Sequence, residues 1–311
     1  MLLQMNFPFH VRVFNMTGFL IIDKPEGITS FVAVAKVRRI CGEKKAGHCG
    51  TLDPMATGVL PIMLGGATRF LDFLPDGRKR YIAEMRLGVT TDTLDITGTV
   101  TSECEVNVTA SEVLAAAENF KGDIMQVPPM YSAIKKDGVR MYDLARRGVE
   151  VEREARPATI YELIVTHKED NDYIVEVECS KGTYVRTLID DIGKMLGCGA
   201  VMLSLRRTKS SGFEIQNSVT FEELEKAVLE GTVDSLIHSV DEVMDAYPKA
   251  FVSAGQAQRF QNGGSLNLER IKDCKADGLY RVYSPDEIFL GLGTADTQLG
   301  ALKMTRLYIR R

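Results

Sequence analysis

The sequence predicts an α+β protein: a mixed-sheet domain over residues 16–245, followed by a small β module over 246–311. Three observations carry that prediction. Strand-like alternation recurs between residues 18 and 205, interrupted by segments with apolar residues at helical spacing behind a capping residue. After about Tyr247-Pro248 the character changes, and three short β-like segments are separated by turn residues. No internal repeat or biased tract is present, and 45% hydrophobic with 26% charged residues is the composition of a folded chain.

The elements run in order from the N-terminus. Residues 18–22 read as a buried strand that runs into the turn Asp23-Lys24-Pro25-Glu26-Gly27. Thr29 or Ser30 caps a helix with Phe31, Val34, Val37 and Cys41 at helical spacing and Gly42 as its stop. Residues 46–66 are rich in Gly, Pro and Thr yet apolar from Val59 to Leu64, so this stretch must be packed down with its tip presented. Residues 81–89 alternate, with Tyr81, Ala83, Met85, Leu87 and Val89 on one face. Thr109 and Glu112 form a capping box before a helix over 113–120. Strands over 160–166 and 174–179 are joined by Asp170-Asn171-Asp172. Thr183 caps a helix through Lys194, with Leu188, Ile192 and Leu196 inward and Gly197 at its end. A strand over 201–205 and a second capping box, Thr220 with Glu223, complete the larger domain. The β module comprises strands over 280–283, 288–293 and 302–309; at about sixty residues it is marginal for a core of its own. Residues 1–15 are unlike the rest of the chain and read as an N-terminal extension ahead of Met16, or alternatively as an edge strand through Val11–Val13.

Composition narrows the function. Six scattered cysteines form no CxxC pair and four histidines form no HxxxH, so a zinc site of the usual spacing is not expected. Free thiols fit a reducing cytoplasm. No apolar run approaches the ~18 residues a membrane span requires, and no secretion signal is recognisable. A net charge of −4 argues mildly against a nucleic-acid partner, but phosphate binding depends on local potential. Basic residues cluster at Arg38, Arg39, Lys44 and Lys45; at Arg78, Lys79 and Arg80; at Lys135, Lys136, Arg140, Arg146 and Arg147; and at Arg206, Arg207 and Lys209, which predicts one basic side.

The most informative stretch is Gly47-His48-Cys49-Gly50-Thr51-Leu52-Asp53-Pro54-Met55-Ala56-Thr57-Gly58-Val59-Leu60-Pro61. Gly50 and Gly58 allow sharp turning or close backbone approach. Asp53 sits on a segment stiffened by Pro54 between Leu52 and Met55. A carboxylate so placed is partly desolvated and needs a cation or takes up a proton more readily. A phosphate-transferring DxDx[TV] motif fails because Met55 stands where the second acid belongs.

This stretch resembles the GHxGxLDPxATGxLP loop of the bacterial tRNA pseudouridine synthase B family. Five further blocks resemble that family in the same order: Leu20 to Pro25; Arg80-Tyr81 with Arg86-Leu87-Gly88, then Thr91-Asp92-Thr93 and Asp95; Gln126-Val127-Pro128-Pro129-Met130-Tyr131-Ser132-Ala133 with Lys135; Ser180-Lys181-Gly182-Thr183-Tyr184-Val185-Arg186-Thr187-Leu188; and Gly197-Cys198-Gly199-Ala200 with Leu205-Arg206-Arg207. The β module resembles, more weakly, the PUA-like RNA-binding domain that ends many members. Cys49 departs from the usual Thr, and Gly66-Ala67-Thr68-Arg69 from the usual GEATK, with Arg69 keeping the positive charge.

The resemblance implies a pseudouridine synthase fold and isomerisation of uridine 55 in the T loop of tRNA by base flipping, in the cytoplasm. It implies no cofactor and no metal, the T arm as partner, and no membrane or obligate protein partner. A carboxylate can serve such a reaction through a covalent intermediate, and the resemblance assigns Asp53 that role. It assigns Arg186 as a bidentate partner of Asp53, Tyr81 as the ring stacked on the target uracil, and Tyr184 and Leu205 as pocket lining. His48 is similar to a histidine inserted where the base leaves, and Lys24 to a residue supporting the pocket. A guide-RNA-dependent relative shares the catalytic motif, but the chain lacks the long basic extensions of such an assembly.

Overall fold

The computed structural model describes residues 16–75, 77–132, 135–136, 139–141, 144, 148–149 and 151–309. The expected extension, the alternative strand through Val11–Val13, and Arg146 and Arg147 lie outside the described residues.

Strand β1 (Gly18–Lys24) pairs antiparallel with β3 (Thr57–Leu64), from Gly18 opposite Leu64 to Lys24 opposite Gly58. Both are buried on both faces, and alternate side chains enter two different cores. Leu20, Ile22, Leu60 and Ile62 join one cluster; Phe19, Ile21, Val59 and Met63 join another. That sandwiching explains the unbroken apolar run of 59–64, which a strand with one wet face would not carry. The short β2 (Ala46–His48) folds back onto β3.

The sheet continues through β12 (Ala200–Ser210), β4 (Lys79–Leu87), β11 (Asp172–Cys179), β10 (Arg156–Glu169) and β7 (Gly122–Gln126). Only the contact of β12 with β3 is parallel among these pairings. Off this path, β5 (Val89–Thr91) pairs with β6 (Val100–Glu103), β8 (Lys135–Lys136) with β9 (Val139–Arg140), and β13 (Phe213–Glu214) with β12. In β4 the predicted alternation holds: Tyr81, Ala83, Met85 and Leu87 are buried, and Gly88, at φ +85°, ends the strand. Helices α1 (Ser30–Cys41), α2 (Ala110–Glu118), α3 (Val185–Leu196) and α4 (Phe221–Glu230) cover one face, each adding side chains to the first cluster. Thr29 caps α1, and the predicted capping boxes open α2 and α4.

Two local expectations are corrected. The buried arc of α1 runs through Ser30, Ala33, Val34, Val37 and Cys41, which leaves Phe31 77% exposed at its edge. Thr183 does not cap α3: its hydroxyl donates to the Ser180 carbonyl, and Tyr184 is the N-cap. The Tyr184 N–H is taken instead by Gln126 Oε1 at 3.0 Å.

The C-terminal part forms a five-stranded sheet. Its strands are β14 (Lys249–Phe251), β16 (Gly278–Tyr283), β17 (Phe289–Asp296), β18 (Ala301–Leu307) and β15 (Leu266–Asn267), in that order. A helix over Ala254–Gln261 packs Phe260 into this unit's own core with Val282 and Leu302. Tyr283, Phe289 and Leu292 turn the other way, into the second cluster against Phe19, Val59 and Phe70. No described helix is long and apolar enough to cross a membrane.

Candidate active site

The loop between β2 and β3 carries Asp53, and the neighbouring chain ties it down residue by residue. Ser30 at the head of α1 accepts from the Leu52 N–H at 2.8 Å and donates to the Leu52 carbonyl at 3.0 Å. The Gly27 N–H and the Lys24 ammonium both reach the Pro54 carbonyl, at 2.8 and 3.2 Å. Lys24 is fully buried and also donates to the carbonyls of Pro25 and Ile28. Burial pulls its pKa down to about 8, against the opposing pull of the nearby Asp53 charge.

On the other side Arg207, fully buried, donates to the carbonyls of Val59, Thr51 and Gly50 at 2.8, 3.2 and 3.2 Å. β3 approaches it so closely that a Cβ on Gly58 (φ +100°) would stand 2.2 Å from the Arg207 carbonyl oxygen. The glycine is required there both by its backbone angle and by space. The expected basic side is therefore thinner than its sequence. Arg207 is internal, Arg206 pairs with Asp23, and Arg78 and Arg80 pair with Glu178.

Asp53 opens onto a cavity of about 210 Å³ lined also by Thr51, Leu52, Lys79, Tyr81, Ser132, Gly182, Thr183, Tyr184, Val185, Arg186 and Leu205. Asp53, Tyr81, Tyr184, Arg186 and Leu205, far apart in the chain, thus meet in one place. Arg186 Nη2 lies 2.8 Å from Asp53 Oδ2. The pair is not the bidentate fork expected from the sequence. Nη2 also donates to the Tyr131 carbonyl, while Nη1 donates to the Thr93 carbonyl and lies 3.6 Å from Asp95 Oδ2. The Arg186 side chain is 5% exposed and that of Asp53 35%, so the guanidinium is fixed from behind and the carboxylate faces the cavity.

Tyr81 is buried on the cavity floor, and desolvation pushes its phenol pKa up, the neighbouring Arg207 opposing. It is a neutral hydroxyl and a flat apolar face. Tyr184 is held through its backbone by both ends of the Gln126 amide, at 3.0 and 3.3 Å. Leu205, on β12, adds an apolar wall.

The remaining expected residues lie elsewhere. His48 is half-buried on β2, and Arg69 is half-buried on the 3-10 helix Gly65–Phe73; neither lines the cavity. Lys24 sits beneath the loop. The structure adds four residues to which sequence reasoning gave no such place: Asp95, Gln126, Lys79 and Arg207. Asp95 is buried and accepts from the Thr93 and Thr97 hydroxyls and the Thr97 N–H while it backs Arg186. Asp95, Gln126 and Arg207 fall within family-like blocks of the sequence, and only the partners supplied by folding reveal what they hold.

Three family descriptions match consecutive stretches of the chain. "TruB family pseudouridylate synthase (N terminal domain)" matches residues 38–185, "tRNA pseudouridylate synthase B C-terminal domain" 186–245, and "Pseudouridine synthase II TruB, C-terminal" 248–307. A tRNA pseudouridine synthase B of Clostridium novyi (strain NT) is 44% identical over 295 residues, covering 94% of this chain and 100% of that protein. The protein of the same name in Escherichia coli (strain K12) is 41% identical over 305 residues, covering 95% and 96%. Among solved structures, a Cbf5-Nop10-Gar1 complex contains a chain that superposes with a TM-score of 0.72 at 27% identity, covering 95% of this chain and 86% of that one.

Proposed function

We propose that this chain, which belongs to the TruB family of pseudouridine synthases, isomerises uridine 55 of tRNA to pseudouridine, and that Asp53 is the carboxylate that acts on the target nucleotide. The observation that carries the assignment is the meeting of Asp53 and Arg186 at 2.8 Å in the cavity that Tyr81, Tyr184 and Leu205 also line.

The reaction breaks the N1–C1′ bond, turns the uracil, joins C5 to C1′ with loss of the C5 proton, and returns a proton to N1. No atom is imported and no electron is transferred overall. The T-arm uridine is stacked in a folded loop and must first be extruded, at a cost of roughly a few kcal/mol. Once in the cavity its uracil stacks on the Tyr81 ring between Leu205 and Tyr184, and its ribose faces Asp53. Arg186 aims the carboxylate at the sugar; being held by two carbonyls and Asp95, it needs no rearrangement during the reaction. The neutral Tyr81 hydroxyl suits donation and relay of a proton near C5 better than its unaided removal. His48 and Arg69, outside the cavity, are assigned to the RNA around the target: His48 to the place the base vacates, Arg69 to backbone phosphate. Lys24 supports the loop.

The division of the chain at residues 245 and 246 is part of the same proposal, with the C-terminal sheet a PUA-like unit that adds RNA contacts. The enzyme is expected to act in the cytoplasm without an obligate protein partner. A T-arm transcript tritiated at uridine C5 tests the reading: wild type releases tritium and Asp53→Asn does not, while RNA affinity changes by no more than a few-fold. Asp53→Asn with wild-type release would overturn it. The likeness to a chain from a multi-protein complex motivates a second reading, dependence on partner proteins or a guide RNA. Turnover of bare transcript by the purified chain excludes that dependence.

A further inference from the structure

We propose that Lys79 is a phosphate-binding residue of the catalytic cavity, gripping a phosphodiester that flanks the extruded uridine. The inference rests on the tRNA-isomerising function and gives a role to a cavity residue which that function, as assigned to Asp53 and its neighbours, leaves unused.

Residues 78–80 are three cations in a row, but the strand separates them, because successive side chains point to opposite faces. Arg80 grips Glu178 on β11, its Nε at 3.2 Å and Nη2 at 2.6 Å. Arg78 approaches the same carboxylate at 3.5 Å and lies over the Tyr161 ring. Lys79 points the other way, on the same face as Tyr81, and lines the cavity with Asp53 and Thr183. Among the described residues it has neither an ion-pair partner nor a hydrogen-bond acceptor.

Its neighbour is another cation. A Cβ built on Gly50 would stand 3.5 Å from Lys79 Nζ and 3.8 Å from Arg207 Nη1. Arg207 gives its donors to three carbonyls, and among the described residues no carboxylate pairs with it. Burial and the Arg207 charge lower the Lys79 pKa to about 8, the environment of an ammonium that lacks its counter-ion. The other cavity cation, Arg186, stands between two carboxylates, Asp53 and Asp95, and is more than balanced. The cavity therefore has one acidic end and one positive end. Uracil and ribose are uncharged, so the anion that arrives with an extruded nucleotide is the phosphodiester on either side of it. A lysine is a compact point charge suited to phosphate, and such a contact positions the nucleotide without reading its base.

The test uses the full-length enzyme and three T-arm oligoribonucleotides: natural, and with one neutral methylphosphonate 5′ or 3′ of the target uridine. Lys79→Met keeps the aliphatic stem and removes the charge; Lys79→Arg restores the charge. On natural RNA, Lys79→Met is expected to lower kcat/KM about tenfold, the scale of one hydrogen bond to a charged group, and Lys79→Arg to recover most of it. One methylphosphonate should cost wild type a similar factor and cost Lys79→Met less than twofold. Equal penalties in both proteins, or wild-type turnover by Lys79→Met, would overturn the proposal. A readout independent of turnover uses the Asp53→Asn background: adding Lys79→Met should reduce the slope of log affinity against log salt by about one. An unchanged slope counts against Lys79. A wild type that binds the natural T arm without turnover would instead remove the isomerase reading and leave the salt slope to decide on Lys79.

Discussion

Arg186 serves four oxygen atoms from an almost fully buried position: two carbonyls, Asp53 and Asp95. This changes what its removal should do. With Asp53 35% exposed, water can solvate the carboxylate that Arg186→Ala strands there, whereas Asp95 stays buried beside the vacated space. Asp95 is then a buried carboxylate without its cation, so the stability loss should be about 3–5 kcal/mol. Turnover of the protein that stays folded should also fall, by a factor of about a hundred or more, because the group aiming Asp53 is gone. Arg186→Lys should recover stability better than turnover, since an ammonium cannot meet four acceptors in one plane. Equal recovery of both, in thermal melts and single-turnover assays, would remove the orienting role. Much of this site was legible in the sequence: the motif placed Asp53, Tyr81, Tyr184, Arg186 and Leu205, and all five line one cavity. Arg207 was not legible, because an Arg in a run of cations looks the same whether it meets water or three loop carbonyls.

At the scale of elements, strands β4 and β11 are fastened at both ends by arginines lying opposite acids in register. Arg86 faces Asp172 and forks onto both its oxygens at 2.7 and 2.7 Å, and Arg80 faces Glu178, with Nε and Nη2 both donating to Oε2 at 3.2 and 2.6 Å. These hydrogen bonds hold both carboxyls below the usual carboxylate range. A folded-state value depressed below the unfolded one gives stability that is present above about pH 4 and is lost as pH falls through the lowered value. The guanidinium groups are 44–47% exposed, so solvent screening limits each coupling to about 1 kcal/mol. Asp172→Asn and Glu178→Gln should each lower the melting temperature at pH 7, and the difference from wild type should shrink as the pH approaches 3. A difference that stays constant with pH would assign the loss to packing. Cross-strand pairing of this kind is poorly legible in sequence. Asp172 read as part of a turn, whereas the turn needs only Asp170, at φ +44°, and Asn171. Helices were more legible than strand ends, since Thr109 with Glu112 and Thr220 with Glu223 announce their caps within four residues.

The molecule as a whole is joined by a core that neither part completes alone. Phe19, Val59 and Phe70 from the larger part are fully buried against Tyr283, Phe289 and Leu292 of the C-terminal sheet. Arg281 adds hydrogen bonds to the carbonyls of Asp241, Asp245 and Tyr247 and to the Asp241 carboxylate, which also accepts from the Tyr283 hydroxyl. The sequence reads the C-terminal module as a unit of its own with a marginal core, because its contacts with residues 18–70 span most of the chain and leave no local trace. The shared core argues otherwise. Each large apolar side chain uncovered costs about 1.5–3 kcal/mol, and three or four of them rival the 5–15 kcal/mol that hold a typical domain together. A chain ending at Pro248 should therefore aggregate or melt far below the intact protein, and loss of activity in it would report unfolding before it reported RNA contacts. Phe289→Ala in the full chain isolates the effect. It should lower the melting temperature by about 5–10 °C while leaving turnover at low temperature close to wild type, because Phe289 is remote from the cavity lining. A soluble truncation that melts like the intact protein would show the opposite, that the two parts share a surface but not their stability.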